Sequence, residues 1–244
     1  MSSMERPSVL MLRSIRLFQS LPEEELKTLA ESMWIAHFRR GEELAGRRGE
    51  RLEEYRQTAW FVWRGAVALY TQTGRGGRKI LFFQGPGALL NQDVMSGGGQ
   101  VLAAVAADAV LLCMEREALA DGIRHSPALA EALFAQYERR LWRLSHQLKN
   151  SADTWFVERK LAAKLLKLSS DFGRPLGTGV EIHLSLSVQQ MADYIGVSRE
   201  TVSRACRRLV EQNLIRYEKK RFFIPDRTRL EAFRREAGTE QGET

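Results

Sequence analysis

The sequence contains only two cysteines, Cys113 and Cys206, among 244 residues. Two thiols so far apart match no metal-ligand spacing and build no disulfide framework, and one chain cannot supply the four cysteines of an iron–sulfur cluster. No apolar run approaches the ~18 residues that a membrane-spanning helix needs, and arginines interrupt the apolar residues of the first 18 positions. We therefore expect neither a membrane span nor a signal peptide, and we expect a cytoplasmic location.

Acidic residues are outnumbered, since 37 lysines and arginines against 30 aspartates and glutamates leave a formal net charge of +7. A sequence pI near 9.7 favours a polyanionic partner such as nucleic acid, although an excess of positive charge can serve solubility alone. Hydrophobic residues make up 44% of the chain, which is enough for a buried core in one large or two modest domains.

Short apolar runs separated by glycine-containing turns occupy residues 34–114, and one such turn is expected at Gly65. Many short strands at even spacing are typical of an all-β sandwich or barrel. A helix is predicted before them, over residues 20–33, from its apolar stripe. The glycine-rich run 74–79 lacks the spacing of a phosphate-binding loop and lies between strands, so we interpret it as a hairpin turn.

A long helix is predicted from Ser126, its N-cap, to about Asn150. Apolar residues at alternating spacings of three and four give it a heptad-like seam, which suits a two-stranded coiled coil. Leu129 and Leu133 lie on another side of the helix and can pack on the chain's own β domain, so we expect both contacts. The seam that we assign to a homodimer interface consists of Phe134, Tyr137, Leu141, Leu144 and Leu148.

Two short amphipathic segments joined by a glycine turn precede a β-like hairpin near the end of the chain. Ser187 and Gln190 form a capping box for the first segment, Gly196 permits the turn, and Ser198 caps the second segment. This order is typical of a winged helix-turn-helix, which places its second helix in the major groove of DNA. The preceding residues 171–179, rich in glycine and proline, are predicted as a loop.

The second segment has an apolar and a basic face. Cys206 falls on the apolar face with Val202, Ala205 and Leu209, so we interpret it as a core residue and not as a thiol switch. Arginine can hold guanine with two hydrogen bonds, glutamate can accept from cytosine, and hairpin lysines can meet phosphate. The predicted DNA-binding residues are Ser198, Arg199, Glu200, Thr201, Ser203, Arg204, Arg207, Lys219 and Lys220.

The alternative for Glu200 is an ion pair with Arg204 along the helix, which is worth only ~0.3–0.5 kcal/mol. A glutamate that faces DNA is repelled by phosphate unless it meets a base. Its place among arginines therefore favours a base-contacting role. Arg221 in the hairpin is expected to meet phosphate together with Lys219 and Lys220.

With these residues the chain resembles the catabolite activator / fumarate–nitrate regulator (Crp/Fnr) family of bacterial transcription regulators. GVSRETVSR at 196–204 is similar to the family's recognition segment, and WFVWRGAVALYTQTGRGGRKILFFQGPGALL is similar to its cyclic-nucleotide-binding-type β-roll. The resemblance implies an α+β protein: a β-roll (jelly-roll) sensor over 1–125, a dimerisation helix over 126–152 and a winged helix-turn-helix over 153–244. It also implies double-stranded DNA and RNA polymerase as partners.

The resemblance also bears on the operator. Arg199, Glu200 and Arg204 match the base-contacting residues of the catabolite-activator branch, whereas Glu200, Ser203 and Arg204 match those of the fumarate–nitrate branch. Because position 203 is serine and not glycine, we expect a palindromic operator of the TTGA…TCAA type.

The sensor departs from the cyclic-nucleotide binders of the family. Asn91 aligns near their ribose-binding glutamate and Val101 near their phosphate-binding arginine, and no arginine lies between Lys79 and Arg116. A buried phosphate without a cation is costly, so cyclic AMP is not expected to bind in the usual way. The cysteine cluster of oxygen sensors is absent and no histidine spacing supports haem, so neither an iron–sulfur cluster nor haem is expected.

An unidentified effector is expected instead, and the apolar lining of its pocket favours a hydrophobic or aromatic molecule. The predicted lining residues are Leu89, Leu90, Asn91, Gln92, Val101 and Leu102.

Two alternatives stay open. One is a constitutive DNA-binding regulator with a non-functional sensor, and the other is a small-molecule-binding protein with an incidental basic C-terminus. The sequence shows no catalytic set of nucleophile, base and orienting residue, nor a metal site, so we do not expect an enzyme.

Overall fold

The computed structural model describes residues 5–45, 52–74, 76–91, 101–152 and 156–235, with the side chains of 146–152 left out. Contacts divide the chain into two compact units, Met1–Leu148 and Lys149–Thr244. Within the described ranges, no helix is both long and apolar enough to cross a membrane.

The described strands of the first unit form one antiparallel sheet. They are β1 (Met33–Phe38), β2 (Glu43–Ala45), β3 (Thr58–Gln72), β4 (Arg78–Gln84) and β5 (Leu102–Glu115). The strand order is β1-β5-β3-β4, and β2 also pairs with β5. The helices are α1 (Val9–Arg13), α2 (Glu23–Glu31), α3 (Leu52–Gln57), α4 (Arg116–His125) and α5 (Pro127–Ala152), with a 3-10 turn at Arg16–Phe18.

Two apolar clusters pack on opposite faces of this sheet. Phe61 and Leu112 belong to the first cluster, whereas Trp60, Leu111 and Tyr55 belong to the second cluster. Because successive residues of a strand point to opposite faces, neighbours in β3 and in β5 are divided between the two clusters. Both faces of these strands are therefore buried, which explains why their sequences are continuously apolar and do not alternate.

One side of α5 packs on the first cluster. Leu129 and Leu133 are buried there, which confirms the expected intrachain contact, and each stabilises the fold by about 1.5–3 kcal/mol. The backbone N–H of Leu129 donates to Ser126 Oγ at 3.1 Å, so Ser126 is the predicted N-cap. The same hydroxyl donates to Glu25 Oε2 at 2.5 Å, which joins the start of α5 to α2.

The turn expected at Gly65 is a bulge within the continuous strand β3. The pairing of β3 with β5 shifts register between Val62 and Val67, and Gly65 has a φ of +85°. A Cβ at Gly65 would lie 2.1 Å from the carbonyl oxygen of Asp108 and 2.6 Å from Cα of Ala109. Glycine is required here by both the left-handed backbone and the close approach of β5.

Gly65→Ala is therefore expected to destabilise the protein by about 1–3 kcal/mol more than Gly41→Ala. Gly41 is the matched control, because its φ is +93° and no atom lies within 4 Å of a Cβ built there. Urea unfolding followed by tryptophan fluorescence measures both variants. If the two variants lose the same free energy of unfolding, backbone strain alone explains the glycine at position 65.

The second unit combines helices with a small antiparallel sheet. Its elements are α6 (Val157–Phe172), β6 (Gly173–Leu176), β7 (Gly179–Ile182), α7 (Val188–Ile195), α8 (Arg199–Glu211), β8 (Arg216–Glu218), β9 (Arg221–Ile224) and α9 (Arg227–Arg235). The strand order is β6-β7-β9-β8. The helix-turn-helix formed by α7 and α8 is followed directly by the β8–β9 hairpin.

Some local predictions were wrong. The helix predicted over 20–33 is shorter, because Pro22 takes the N-cap position of α2 and Met33 begins β1. Residues 171–179 are not a loop, since most of them form the last turn of α6 and strand β6. The helices α3 and α4 were not predicted, because neither has a long apolar stripe.

Candidate nucleic-acid interface

The turn between α7 and α8 has the local geometry that the sequence predicts. Ser187 Oγ accepts from the backbone N–H of Gln190 at 3.1 Å, and Gln190 Oε1 accepts from the backbone N–H of Ser187 at 3.0 Å, which completes the capping box. Gly196 ends α7 with a φ of 91°. Ser198 Oγ then accepts from the backbone N–H of Thr201 at 3.2 Å and caps α8.

The apolar face of α8 is buried as expected. Val202, Ala205, Cys206 and Leu209 all lie in the core. Burial raises the pKa of the Cys206 thiol to about 11, so this thiol stays protonated at neutral pH and packs as a small apolar group. Arg208 Nη1 contacts Glu158 Oε1 at 2.6 Å, which ties α8 to α6.

The predicted DNA-binding residues lie at two places in the second unit. On α8 they form one face, which is exposed except at the half-buried Thr201. In the hairpin they occupy the turn between β8 and β9. The exposed members are Ser198, Arg199, Glu200, Ser203, Arg204, Arg207, Lys219 and Lys220.

Thr201 has a positioning role that the sequence did not reveal. Its hydroxyl lies 2.9 Å from Ser198 Oγ, and Arg204 Nη2 donates to it at 3.3 Å. The helix cap thus extends through Thr201 to the guanidinium of Arg204. This contact limits the directions in which Arg204 can point on an otherwise exposed helix face.

Glu200 is held as an anion at the start of α8. A hydrogen bond from its own backbone N–H, then one from the Ser198 side chain, lowers the pKa of its carboxyl group, and the charges of Arg199 and Arg204 add to this effect. Among the described residues, Arg204 hydrogen bonds to Thr201 and forms no ion pair with Glu200. The carboxylate is therefore an exposed acceptor beside two arginines.

The β8–β9 hairpin is tied to the beginning of α7. Leu186 donates its backbone N–H to the carbonyl oxygen of Lys220 at 2.7 Å, and the hydroxyl of Tyr217 donates to the carbonyl oxygen of Leu186 at 3.0 Å. Lys219 and Lys220 have φ values of 49° and 63°. Two successive positive φ values define a type I′ turn, which normally carries Asn-Gly. Two exposed lysines thus occupy a turn whose position relative to the helix-turn-helix is fixed.

Arg221 differs from its two lysine neighbours. Its Nη1 lies 3.1 Å from Oε2 of Glu181, so the guanidinium is already engaged in an ion pair with β7. The expectation that Arg221 meets phosphate did not foresee this partner, because Glu181 lies 40 residues earlier in the chain.

The predicted effector-pocket residues are distributed between the two clusters. Leu89 lies in the first cluster, whereas Leu90 lies in the second, with Val101 and Leu102 packed against it. Gln92 lies outside the described residues. In the described ranges, no group of three His, Cys, Asp or Glu side chains is placed to hold a metal ion.

Asn91 is buried, and its side-chain amide forms hydrogen bonds with backbone groups. Its Nδ2 donates to the carbonyl oxygens of Tyr55, at 3.2 Å, and Thr58, and its Oδ1 accepts from the backbone N–H of Trp60 at 3.2 Å. The side chain thus joins the segment after β4 to the junction of α3 and β3. Both N–H donors and one of the two lone pairs of Oδ1 are used in this way, so the side chain is committed to backbone partners.

The predicted seam of α5 is partly solvent-exposed. Phe134, Leu141 and Leu144 have exposed fractions of 69%, 64% and 38%. Tyr137 packs partly against the first cluster, and the side chain of Leu148 lies outside the described residues. Large apolar side chains at heptad spacing on one helix mark a surface that a partner covers.

Comparison with known proteins connects both units to one family. A family model described as a Crp-like helix-turn-helix domain matches residues 159–233. The CRP-like cAMP-activated global transcriptional regulator of Mycobacterium tuberculosis is 27% identical over 220 residues, which cover 88% of this chain and 94% of that protein. The nitrogen fixation regulation protein FixK of Rhizobium meliloti is 30% identical over 151 residues, 62% of this chain and 65% of that protein.

The fold is shared with a solved regulator. The structure of FixK2 from Bradyrhizobium japonicum superposes with a TM-score of 0.70 at 22% identity, and the match covers 84% of this chain and 99% of that one. The expected α+β architecture is thereby confirmed. With a capped helix-turn-helix and a cyclic-nucleotide-binding-like fold, this chain belongs to the Crp/Fnr family of DNA-binding transcription regulators.

Proposed function

We propose that this protein is a homodimeric transcription regulator that acts in the cytoplasm on a palindromic operator of the TTGA…TCAA type. The observation that carries the proposal is the face of α8, where Arg199, Glu200 and Arg204 are exposed above a buried apolar side. A helix with this division can enter the major groove without exposing its core.

Base contacts follow from the chemistry of the exposed face. Arg199 and Arg204 can each hold guanine O6 and N7, and the ionised Glu200 can accept from cytosine N4. Lys219 and Lys220 at the hairpin turn supply contacts to phosphate, which position the protein without selecting a sequence. A regulator placed on DNA in this way has RNA polymerase as its next partner.

Dimerisation is supported by the exposed seam of α5. Burying Phe134, Leu141 and Leu144 against a second copy removes large apolar side chains from water. Two recognition helices in one dimer would enter successive major grooves about 34 Å apart. The two-fold symmetry of the dimer then accounts for a palindromic operator.

The effector is proposed to be a molecule other than cyclic AMP. The engaged amide of Asn91 supports this, as does the lack of arginine between Lys79 and Arg116. Neither haem nor an iron–sulfur cluster is part of the proposal. An effector regulates DNA binding if it binds one arrangement of the dimer better than the other.

Binding-site selection from random duplex DNA tests the proposal. The purified protein is expected to enrich TTGA…TCAA palindromes, and its affinity is expected to fall steeply with salt because several cations meet phosphates. Equal or better affinity for an unrelated palindrome would refute the operator. Tight calorimetric binding of cyclic AMP would refute the effector part, and full affinity in ligand-free protein would instead favour a constitutive regulator.

A further inference from the structure

Arg140 on α5 is a largely buried cation with an incomplete set of partners. Its Nε is buried and has no hydrogen-bond partner among the described residues. Its Cζ lies 4.8 Å from the centroid of the Phe82 ring, on β4. A buried guanidinium is ordinarily paired with an anion, because the transfer of a charge from water is costly unless it is compensated.

No carboxylate in the described part of the chain compensates this charge. Burial, with a smaller contribution from Arg143, lowers the pKa of the Arg140 guanidinium to about 10, although Tyr55 and Tyr137 act in the opposite direction. The group therefore remains charged at neutral pH, with two tyrosines and a phenylalanine as its neighbours. Cation–π contact offsets part of the desolvation cost but supplies no acceptor for the N–H groups.

The apolar wall beside Arg140 coincides with part of the predicted effector pocket. Phe82, Val101 and Leu102 pack against the second cluster, which contains Tyr55 and Leu90. A molecule with an apolar body can lie along this wall only if its polar end finds a partner. Arg140 provides such a partner from α5, because its guanidinium lies over the ring of Phe82.

We propose that Arg140 binds the anionic group, a carboxylate or a phosphate, of an effector whose apolar body lies against Phe82 and the second cluster. The planar guanidinium can donate two parallel hydrogen bonds to either group. The anion would supply both the missing charge and an acceptor for Nε. In the cyclic-nucleotide binders that this chain resembles, the β-roll supplies the arginine for phosphate; here the cation comes from the helix.

This inference rests on the proposed function, since it assigns the chemistry of the proposed effector. Arg140 is adjacent in sequence to Leu141 of the exposed seam. An anion held by Arg140 therefore acts on the same turn of α5 that the proposed dimer contact uses. Binding energy that differs between two positions of this helix would shift the dimer between them.

Thermal unfolding of the full-length protein with matched probes tests the assignment. The charged probes are phenylacetate and phenyl phosphate, phenylacetamide is the neutral counterpart, and acetate and inorganic phosphate lack the apolar body. At about five times its dissociation constant, a bound probe raises the melting temperature of a chain of this size by about 2–4 °C. We expect this rise with at least one charged aromatic probe and not with the amide, and the responsive probe distinguishes carboxylate from phosphate.

Three variants connect the response to the residue. Arg140→Met is expected to lose the rise while its melting temperature without probe stays equal or increases, because an uncompensated buried charge has been removed. Arg140→Lys keeps the charge but loses the two-pronged geometry, so it should retain a smaller rise. Arg139→Gln is the matched control, since Arg139 is an exposed arginine on the same helix, and it should respond like the wild type.

Several outcomes would overturn the proposal. They are equal stabilisation by the amide and the charged probes, no stabilisation by any charged aromatic probe, and an undiminished rise in Arg140→Met. A marked loss of stability in probe-free Arg140→Met would show that Arg140 has a structural partner in the chain. A gel shift of the wild-type protein with operator DNA separates the two proposals. If the protein does not bind the operator but its melting temperature still rises with probe in an Arg140-dependent way, only the proposed function is refuted.

Discussion

Leu141→Asp is expected to convert the protein to a monomer and to weaken binding to a full operator by about 100-fold or more. Leu141 is the central residue of the seam and is 64% exposed in the single chain. In a dimer, the aspartate would bury an unpaired charge against its own copy, which costs several kcal/mol (~3–5). Joining two half-site contacts in one molecule raises affinity by about 10²–10⁴, and a monomer forfeits that gain.

The control for this prediction is Trp142→Asp. Trp142 is 65% exposed, as much as its neighbour, but lies outside the heptad positions. Trp142→Asp should leave the dimer intact. Leu141→Asp should halve the mass measured by light scattering and leave binding to a half-site unchanged. If Trp142→Asp separates the subunits and Leu141→Asp does not, the dimer uses another face of α5.

The helix-turn-helix could be predicted because its determinants are local. Ser187, Gln190, Gly196 and Ser198 act on backbone groups within four residues of themselves, so spacing in the sequence fixes their partners. The division of α5 into a buried and an exposed side was equally accessible. Helical periodicity separates Leu129 and Leu133 from the exposed Phe134 and Leu141, although Tyr137, one turn beyond Leu133, also reaches the first cluster.

The sheet was harder, because its determinants lie far apart in the chain. A glycine with positive φ serves a turn and a bulge equally well, and only the pairing with β5 shows that Gly65 belongs to a bulge. Asn91 illustrates the same limit, since its amide contacts backbone groups more than 30 residues earlier. The family resemblance places Asn91 near the ribose-binding glutamate of the cyclic-nucleotide binders, whereas its observed contacts are with the backbone of its own chain.

The partners of charged residues were the least predictable from the sequence. On a helical projection Arg140 is one of several arginines on α5, and nothing local distinguishes it from Arg139. Its burial depends on Phe82, which another element brings to it. Likewise, the pairing of Arg221 with Glu181 depends on the register of β7 and β9. Neither partner can be identified from spacing along the chain.

Arg204→Ala is expected to cost about 1–3 kcal/mol of binding free energy at each half-site, a loss of about 5- to 150-fold, and to relax one base position of the operator. The fold should be unaffected, since the side chain is exposed and its described contact is the single hydrogen bond to Thr201. Gel shifts with the wild-type operator and its single-base variants measure both the affinity and the specificity.

Lys220→Ala and Thr201→Val provide the comparison that assigns a role to Arg204. Lys220 occupies the hairpin turn, so its loss should weaken binding to all sequences alike and reduce the slope of log affinity against log salt by about 1. Thr201→Val keeps the shape but removes the hydroxyl that holds Arg204, so it should cost about 0.5–1.5 kcal/mol and affect the same base position. A uniform loss across base variants in Arg204→Ala would instead place this guanidinium on phosphate, and the proposed base contact would be wrong.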